Sequence, residues 1–394
     1  MDVLNIKFYT ICFLDSLTLG LYLPILSSHI TSLGGNHTIL GILASLYAIV
    51  RLFAGSLIYT WTNKFGRKIT LLLSLFINYL VYFPFGTTEE YMTIILLRLT
   101  VALCNQTQNI CNSFIAEVND KDKLSSIYSI TNVVSVAGLV VGPMIGGALF
   151  EEKYGFYYIS RLSTTFLFIC LVTAIMLPPS TIPNDKPMGL FQKVLEDLKR
   201  KFGKILVLNL GNDWDIVVQK FLHSASATVF FMKFSMMLKI HFQLSAAIIG
   251  CMYAYQGSLT FLATFIVAFL NNMENKDTRV ISLFALAISL MGLCFGATLE
   301  SYLIWYIPMI IVHTFLNSIW KKIFKQTSNE NYNIEGAEDG VGEVASIITP
   351  VIFGVFCDLY GLYALKAFVI IPILLSIFIT IISSSRKVIR SHTN

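Results

Sequence analysis

The sequence has little charge and lacks the usual features of an enzyme. Asp, Glu, Lys and Arg make up only 13% of its 394 residues, whereas 55% are hydrophobic and the mean hydropathy is +0.70. A soluble domain is about 25% charged, so this composition excludes that class. The sequence has no paired nucleophile and base, no phosphate-binding loop and no metal-ligand spacing. We therefore expect neither an enzyme nor a protein with a cofactor or a metal.

Cysteine is present without a pattern. The seven cysteines follow no disulfide framework and fall inside apolar segments, so we interpret them as small packing residues. The first apolar run, 6–30, is too long for the core of a signal peptide and contains Asp15. We expect it to remain in the protein as a membrane span.

Long apolar runs dominate what the sequence does contain. Segments of about 20 residues alternate with short polar links, as expected for helices that cross a bilayer. We predict an all-α integral membrane protein of twelve transmembrane helices, with an N-terminal half at 1–177, a basic linker at 178–215 and a C-terminal half at 216–394. The predicted spans are 6–30, 39–61, 69–85, 91–118, 124–150, 159–177, 216–238, 244–270, 280–298, 302–324, 341–359 and 362–383.

The distribution of Lys and Arg predicts the orientation of these spans. Links assigned to the cytoplasmic side hold 20 cations, whereas the outer links hold at most three. Because Lys and Arg are retained on the cytoplasmic side, both termini are expected to be cytoplasmic. This bias accounts for the net charge of +5, so we expect no nucleic-acid partner. We expect a monomer in the lipid bilayer of the plasma membrane or an organelle.

A tight basic link joins spans two and three. It reads Asn63-Lys-Phe-Gly66-Arg67-Lys68, and its three cations are typical of any cytoplasmic loop. It also resembles the loop between the second and third helices of the major facilitator superfamily, whose pattern runs Gly, Asp, Arg, Gly, Arg, Lys. Phe-Gly-Arg-Lys matches that pattern, while Asn63 occupies its acidic position.

The two halves repeat short motifs at corresponding places. Internal repeats are typical of secondary transporters, and six plus six spans around a basic linker resemble the major facilitator architecture. The recurring motifs are Asn63-Lys64-x-x-Arg67 with Asn275-Lys276-x-x-Arg279, and Gly142-Pro143 before Gly147 with Thr349-Pro350 before Gly354.

Span five concentrates glycine. Glycines four apart let two helices approach closely, and a proline bends the helix, so plain packing explains such a run. The run also resembles the fifth-helix motif of proton-coupled antiporters of the superfamily, although an earlier glycine of that motif falls at Ser129. Its members are Gly138, Gly142, Pro143, Gly146 and Gly147.

About 135 residues of spans one to five resemble tetracycline/proton antiporters. The resemblance implies functional importance for Asp15 and Arg98. It also implies an ion pair between Glu117 and Arg67. The second half matches poorly, since the family's histidine in span eight falls near Met252. The matching positions are Phe13-Leu14-Asp15, Gly20-Leu21, Pro24, Leu46-Tyr47-Ala48, Phe65 to Lys68, Leu71 to Ser74, Arg98 and Ala116-Glu117.

Charges within the first half predict a polar cavity. A charge at mid-bilayer is costly unless it is paired or faces water, so Asp15, Arg51 and Arg98 are expected to point inward. Two arginines against one carboxylate favour an anionic solute. In the competing interpretation, Arg51 and Asp15 simply pair.

Uncharged polar residues extend this pattern. On span four, three asparagines follow Arg98 at helical spacing, which suits either a water-filled face or interhelical hydrogen bonds; we expect the water-filled face. A histidine inside a span is more often a packing residue than a proton carrier. The remaining candidates for lining the cavity are Tyr22, Asn105, Asn109, Asn112, Gln219, His223, Tyr253, Gln256, His313 and Asn317.

These features predict a secondary active transporter that moves a small organic solute by alternating access. Proton-coupled antiport is the expected mechanism, with the basic loop, Glu117 and the glycine run as gating motifs. A facilitator or symporter for an organic anion is the alternative within transport. A non-transporting sensor or partner subunit is the alternative from another class, because the loop acid is missing.

Overall fold

Helices make up almost all of the chain in the computed structural model. Within the described ranges no strand is present, as the apolar runs predict. Most of the predicted linker, and Asn275 and Lys276 of the repeated loop motif, lie outside those ranges. The structure describes residues 3–180, 189, 191–196, 199, 210–270, 278–327 and 337–393.

The helices form one series before the linker and another after it. The first series is α1 (Val3–Tyr22), α2 (Leu26–Ser32), α3 (His37–Phe65), α4 (Arg67–Phe85), α5 (Tyr91–Cys104), α6 (Thr107–Val118), α7 (Lys121–Phe150) and α8 (Gly155–Ile175). The second series is α9 (Leu210–Met232), α10 (Phe234–Phe242), α11 (Ala246–Leu270), α12 (Thr278–Phe295), α13 (Leu299–Thr327), α14 (Ala337–Tyr360) and α15 (Leu362–Thr393).

The lengths and apolar composition of these helices are those of a multi-pass membrane protein. In the described part of the chain, ten segments are long and apolar enough to cross a bilayer, with α1 and α2 together forming one of them. An eleventh forms if α9 and α10, which meet at a bend of 56°, are one broken span. Helices α5 and α6 together occupy the position of the remaining predicted span.

Span four is broken, which corrects the expectation of one helix over 91–118. Helix α5 ends at Cys104, and Asn105 and Gln106 separate it from α6. Side chains of this type compete with the helix for backbone hydrogen bonds. Here the Asn109 amide donates to Gln106 Oε1 at 2.5 Å. The polar stripe expected on a single helix is therefore interrupted at Asn105.

Spans one and seven are also interrupted near their ends. Pro24 lies between α1 and α2, where its missing N–H removes a helical hydrogen bond. Lys233 lies between α9 and α10. Its ammonium group is 3.4 Å from His37 Nδ1, and the residue is only 2% exposed.

The chain divides into two compact units that interleave along the sequence. Helix α3 contributes its first turns to unit two and its remainder to unit one, while α11 contributes its first half to unit one and its second half to unit two. Unit one comprises Met1–Gly35, Leu46–Glu196 and Leu238–Gly257, and unit two comprises Asn36–Ser45, Asp197–Met237 and Ser258–Asn394.

The glycine run of α7 lies directly against the backbone of α1 in unit one. A Cβ atom at Gly142 would lie 2.7 Å from the Leu17 carbonyl oxygen, and one at Gly146 would lie 2.9 Å from the Leu21 Cα. Gly20 of α1 faces the same contact from the other side, since its Cβ would lie 3.0 Å from Pro143. The two backbones can approach this closely only because side chains are absent between them.

A second face of α7 meets the start of α11. A Cβ at Gly250 would lie 2.9 Å from the Pro143 carbonyl carbon, and one at Gly147 would lie 3.2 Å from the Ala247 Cα. Just beyond α7, Glu151 Oε1 accepts the Ala247 N–H at 2.9 Å. The carboxylate thus satisfies a backbone donor that the first turn of α11 leaves unpaired.

Unit two contains the same arrangement between α14 and the start of α3. A Cβ at Gly354 would lie 2.9 Å from the Thr38 Cα, and one at Gly41 would lie 3.0 Å from the Pro350 carbonyl carbon. Asp358 accepts the Thr38 N–H at 2.9 Å and the Thr38 hydroxyl at 2.6 Å. It also accepts the N–H of His37 at 2.9 Å.

The two contacts follow one sequence rule. Each has a proline and a glycine four residues later within one helix, and an acid four residues after the glycine, which follows α7 directly in one case and lies in α14 in the other: Pro143, Gly147 and Glu151, and Pro350, Gly354 and Asp358. The acid receives the N-terminal N–H groups of the partner helix in both cases. We refer to Glu151, which caps α11, and Asp358, which caps α3, as the two carboxylate caps.

Candidate functional site

Arg98 on α5 places a guanidinium in the interior of unit one. The residue is 8% exposed, and its buried Nη1 has no hydrogen-bond partner in the part of the chain that the structure describes. The guanidinium carbon lies 5.2 Å from the centre of the Tyr47 ring, and Tyr82 of α4 is a second neighbour. A buried cation with an unsatisfied N–H is costly unless an acceptor reaches it. Arg98 therefore offers a binding group for an acidic oxygen.

An aromatic cluster adjoins this arginine. Tyr22 of α1 stacks on Tyr82 with ring centres 5.2 Å apart and meets Phe85 edge-on at 5.2 Å. The Tyr22 hydroxyl is buried beside the side chains of Ser160 and Ser163 of α8. Aromatic faces attract guanidinium groups and planar ligands, so the cluster supplies apolar walls beside the charge.

Asp15 lies on the same unit but is not ion-paired with either arginine. Among the described residues, no Lys or Arg nitrogen comes within 4.0 Å of its carboxylate. The residue is half-buried on α1, beside Thr107 of α6, and Arg51 is exposed on α3. Tyr82 has both Asp15 and Arg98 as electrostatic neighbours. The carboxylate is thus close to the arginine region without being neutralised by it.

The three asparagines of span four differ in their surroundings. Asn105 is half-buried at the helix break, and Asn109 is exposed. Asn112 is half-buried, with a buried Oδ1 that accepts no hydrogen bond, while its backbone carbonyl accepts the Tyr128 hydroxyl at 3.2 Å. The polar side chains expected on one face therefore span a kink.

The basic loop links three helices of unit one. Gly66 has φ 82°, a value that favours glycine, and forms the N-cap of α4 next to the half-buried Asn63. Arg67 Nη1 lies 2.6 Å from Glu117 Oε2 of α6, the ion pair that the resemblance implies. Lys68 donates to the carbonyls of Ile175 and Leu177, at the C-terminal end of α8.

Unit two brings together four polar side chains that the sequence places on two spans. Lys220 Nζ lies 3.4 Å from Asn317 Oδ1, and Asn317 Nδ2 lies 3.2 Å from His313 Nε2. His313 Nδ1 in turn lies 3.2 Å from His223 Nε2. We call Lys220, Asn317, His313 and His223 the polar chain of unit two.

The far end of the polar chain adjoins a small pocket and other buried polar atoms. His223 and His313 line the pocket with Ser226, and most of its remaining wall is apolar. Gln219, one turn before His223 on α9, is fully buried, and neither its amide nitrogen nor its amide oxygen has a partner. His223 Nδ1 likewise has none. Buried polar atoms without partners inside a membrane helix bundle require an explanation, and at ionisable side chains the first hypothesis is a functional role.

A comparison with protein-family models identifies the family of the chain. The model described as Major Facilitator Superfamily matches residues 8–323, which is most of the chain. The chain belongs to the major facilitator superfamily. It is thus a member of a transporter superfamily, and the predicted superfamily membership is confirmed.

Drug-resistance proteins resemble the chain over part of their length. The chain is 28% identical over 140 residues to a tetracycline resistance protein, class E, from Escherichia coli, covering 35% of each chain. It is 27% identical over 195 residues to the multidrug resistance protein MdtG of Salmonella paratyphi A, covering 48% of each. The chain thus matches about a third to a half of the length of these curated relatives.

Solved superfamily structures cover nearly the whole fold. The nucleoside transporter NupG matches with a TM-score of 0.76 at 14% identity, over 98% of this chain and 99% of that one. The human organic anion transporter MFSD10 matches with a TM-score of 0.64 at 15% identity, over 95% and 98%. At this identity the likeness concerns the fold alone.

Two lysines of this superfamily member escape sequence reasoning. Lys220 and Lys233 are buried within the second half, and neither belongs to a recognisable motif. The available signal was a lysine three residues before His223 within an apolar span, where a charge is costly and therefore informative. A count of cations that is restricted to the links between spans misses both lysines.

Other predicted positions are less closely grouped. Tyr253 and Gln256 are half-buried on α11, within the part of that helix that belongs to unit one. Gly138 faces α1 with the rest of the glycine run, since its Cβ would lie 2.6 Å from the Phe13 carbonyl oxygen. Among the described side chains, no three His, Cys, Asp or Glu residues come together as metal ligands would.

Proposed function

We propose that this superfamily transporter exchanges protons for a small organic solute by alternating access. The solute would present an acidic oxygen to Arg98 and a hydrogen-bond donor to Asp15. The observation that supports this most directly is the buried Nη1 of Arg98. It lies beside an aromatic cluster and has no hydrogen-bond partner among the described groups. A planar fork of N–H groups suits a carboxylate or similar oxygen anion.

Asp15 supports the coupling to protons. Because no cation within 4.0 Å holds it ionised among the described residues, its carboxylate can gain and lose a proton. A solute that donates to the carboxylate competes with the proton for the same oxygens. Binding of one partner then disfavours the other, which is the thermodynamic condition for exchange.

A symporter for an organic anion is the second candidate, and Arg98 favours it. An anion that carries no donor would add negative charge near Asp15 without competing for its oxygens. Protonation of Asp15 would then assist binding, and the proton and the anion would travel together. The two candidates therefore differ in the direction of proton movement.

We further propose that both termini are cytoplasmic and that the solute site opens alternately to each side of the membrane. Lys7 and Lys68 support a common side for the N-terminus and the basic loop, because both donate to carbonyls at the end of α8. The bond from Lys7 to the Met176 carbonyl is 2.8 Å long.

Proton movement in proteoliposomes tests these proposals. Purified protein would be reconstituted with a trapped pH dye and given one solute at a time from outside. Tetracycline provides both donors and acidic oxygens, whereas benzenesulfonate is an anion without a donor. Tetracycline entry with alkalinisation of the lumen would support exchange, and benzenesulfonate entry with acidification would support symport.

Matched variants assign the residues. Asp15→Asn mimics a permanently protonated carboxyl, so we expect it to abolish pH-driven accumulation. It should weaken binding of tetracycline, which loses the acceptor for its donor, and spare binding of benzenesulfonate, which has no donor. Arg98→Gln should weaken binding of both solutes. Unchanged pH-driven accumulation by Asp15→Asn would remove Asp15 from the mechanism. If neither solute moves, the transport proposal fails for these solute classes and the non-transporting alternative gains support.

A further inference from the structure

The polar chain of unit two has a fixed direction. An ammonium group only donates hydrogen bonds, so Lys220 fixes Asn317 Oδ1 as the acceptor and turns its amide nitrogen toward His313. His313 Nε2 must then accept, which places its proton on Nδ1, the atom that faces His223 Nε2. Every donor in the chain points the same way, and the last N–H, on His223, has no partner among the described groups.

A second arrangement satisfies the same four residues. If the Asn317 amide rotates by half a turn, its nitrogen donates to a neutral Lys220 amine and its oxygen accepts from Nε2–H of a protonated His313. The Lys220 nitrogen has lost one proton and the His313 nitrogen has gained one, so charge and protons balance. The Nδ1 proton of His313 can then pass along its hydrogen bond to His223 Nε2, which leaves His313 neutral and places the positive charge on His223.

Lys220 and the histidine pair cannot both be charged at once without an energetic cost. The oxygen and the nitrogen of the Asn317 amide face different neighbours, so in either orientation the oxygen reaches only one of Lys220 and His313, and the other meets the amide N–H. A second positive charge would also face the first within a buried setting, where like charges repel strongly. We propose that the polar chain of unit two is a binding site for a single proton, which resides on Lys220 or on the histidine pair according to the orientation of the Asn317 amide.

The surroundings contain the charges that would bias the choice. Glu338 and Asp339 on α14 and Lys321 on α13 are the charged groups that act on Lys220. Near the histidines, α12 contributes Leu286 and Leu290 to the pocket. Helix α15 contributes the Val369 carbonyl, which accepts the Ser226 hydroxyl at 2.7 Å. The carboxylates thus lie at the lysine end, and the histidine end is mostly apolar.

This inference deepens the proposed function and rests on it only for the use made of the proton. Its test needs no solute. The Trp320 ring lies 6.5 Å from the His223 ring, and a protonated imidazole quenches indole fluorescence. A protein in which the other three tryptophans, Trp61, Trp214 and Trp305, are replaced by Phe would report protonation of the histidine pair through Trp320 alone.

The emission of this single-tryptophan protein would be measured from about pH 5 to 9, the range in which histidines titrate. Lys220→Met removes the competing charge, so we expect the quenching midpoint to move to higher pH by about one unit. Asn317→Leu removes the amide that links the two ends, so in its background Lys220→Met should shift the midpoint by less than half as much. His223→Gln should abolish the quenching, and His29→Gln in unit one should leave it intact.

Two outcomes would overturn the inference. Equal midpoints with and without Lys220 would show that the lysine and the histidines do not share a proton. A Lys220→Met shift that persists in full with Asn317→Leu would show that through-space charge acts without the amide. Thermal melting of each variant would confirm that it remains folded. Since no solute is present, either result leaves the exchange proposal to be decided by the transport assay.

Discussion

The ion pair between Arg67 and Glu117 shows how one short loop can depend on a distant side chain. Asn63 supplies no charge at the acidic position of the loop, and Arg67 instead pairs with Glu117 of α6, at 2.6 Å. The side chains are 25% and 12% exposed, which leaves partial access to solvent. The contribution of the pair should therefore be modest.

A double-mutant cycle measures this contribution. We expect Arg67→Ala and Glu117→Ala, alone and together, to show a coupling of about 0.5 to 1 kcal/mol in transport rate or thermal stability. Most of the loss should already appear in either single variant. Strictly additive losses would show that the two residues act independently.

Single residues also show the limits of sequence reasoning. The Arg67 and Glu117 pair can be predicted from sequence, because the resemblance to tetracycline/proton antiporters implies it. Lys220 follows from no motif, and its partner Asn317 lies 97 residues away on another helix. The proximity of His223 and His313 likewise depends on how α9 and α13 pack, which the periodicity of each helix alone does not determine.

Among the elements, α7 is distinctive because two different helices meet its glycine faces. Gly142 and Gly146 face α1, whereas Gly147 faces α11. The sequence predicts a close contact here from the spacing of the glycines. It does not predict that there are two contacts, since that requires knowing which helices are neighbours.

Replacing Gly146 tests the α1 contact. Gly146→Leu would place a side chain where the Leu21 backbone lies, so we expect a loss of about 1 to 3 kcal/mol in stability and slower transport. Gly55→Leu on α3 is the matched control, because a Cβ there meets nothing within 4 Å. Equal behaviour of the two variants would argue against a packing role for Gly146.

The carboxylate cap on α11 gives a pH-dependent prediction. Hydrogen bonds from the Ala247 N–H and the Ser245 side chain hold the pKa of the Glu151 carboxyl below its usual value of 4.5. Because the pKa is lowered in the folded protein, the stabilisation is fully present above the usual value. This stabilisation is lost as the pH falls through the lowered pKa.

We expect Glu151→Gln to reduce the melting temperature at neutral pH, with a difference from wild type that shrinks once the pH falls below about 4.5. Glu152→Gln, at the exposed neighbouring position, should melt like wild type at every pH. A pH-independent difference for Glu151→Gln would mean that the charge of the cap is unimportant.

At the scale of the whole molecule, composition is sufficient for much of the fold. Apolar runs predict the helices and spans, cation counts predict their orientation, and the resemblance of several motifs implies the superfamily. The bounds of most spans agree with the structure to within a few residues. The breaks in spans one, four and seven are less predictable. Pro24 and Asn105 mark two of them chemically, but Lys233 marks the third only through its buried setting. The division at the linker stays a prediction.

The membrane orientation can be tested with cysteine labelling. Cys251 is the one exposed cysteine and the other six are buried, so Cys251→Ser gives a background of low reactivity. We expect Glu152→Cys to react with an impermeant maleimide from outside intact cells and Gly189→Cys to react only after permeabilisation. The reverse pattern would overturn the cytoplasmic assignment of the termini.

The interleaved units have a consequence for how the nascent chain matures. The segment Asn36–Ser45 leaves the ribosome about 300 residues before α14, the helix whose Asp358 receives its backbone N–H groups. At roughly 5 to 20 residues per second, that segment waits tens of seconds for its partner. The face of α7 that receives α11 waits for nearly 100 residues of synthesis. A ribosome halted within the linker should therefore leave a fragment that quality control degrades, unless the missing half is supplied as a separate polypeptide.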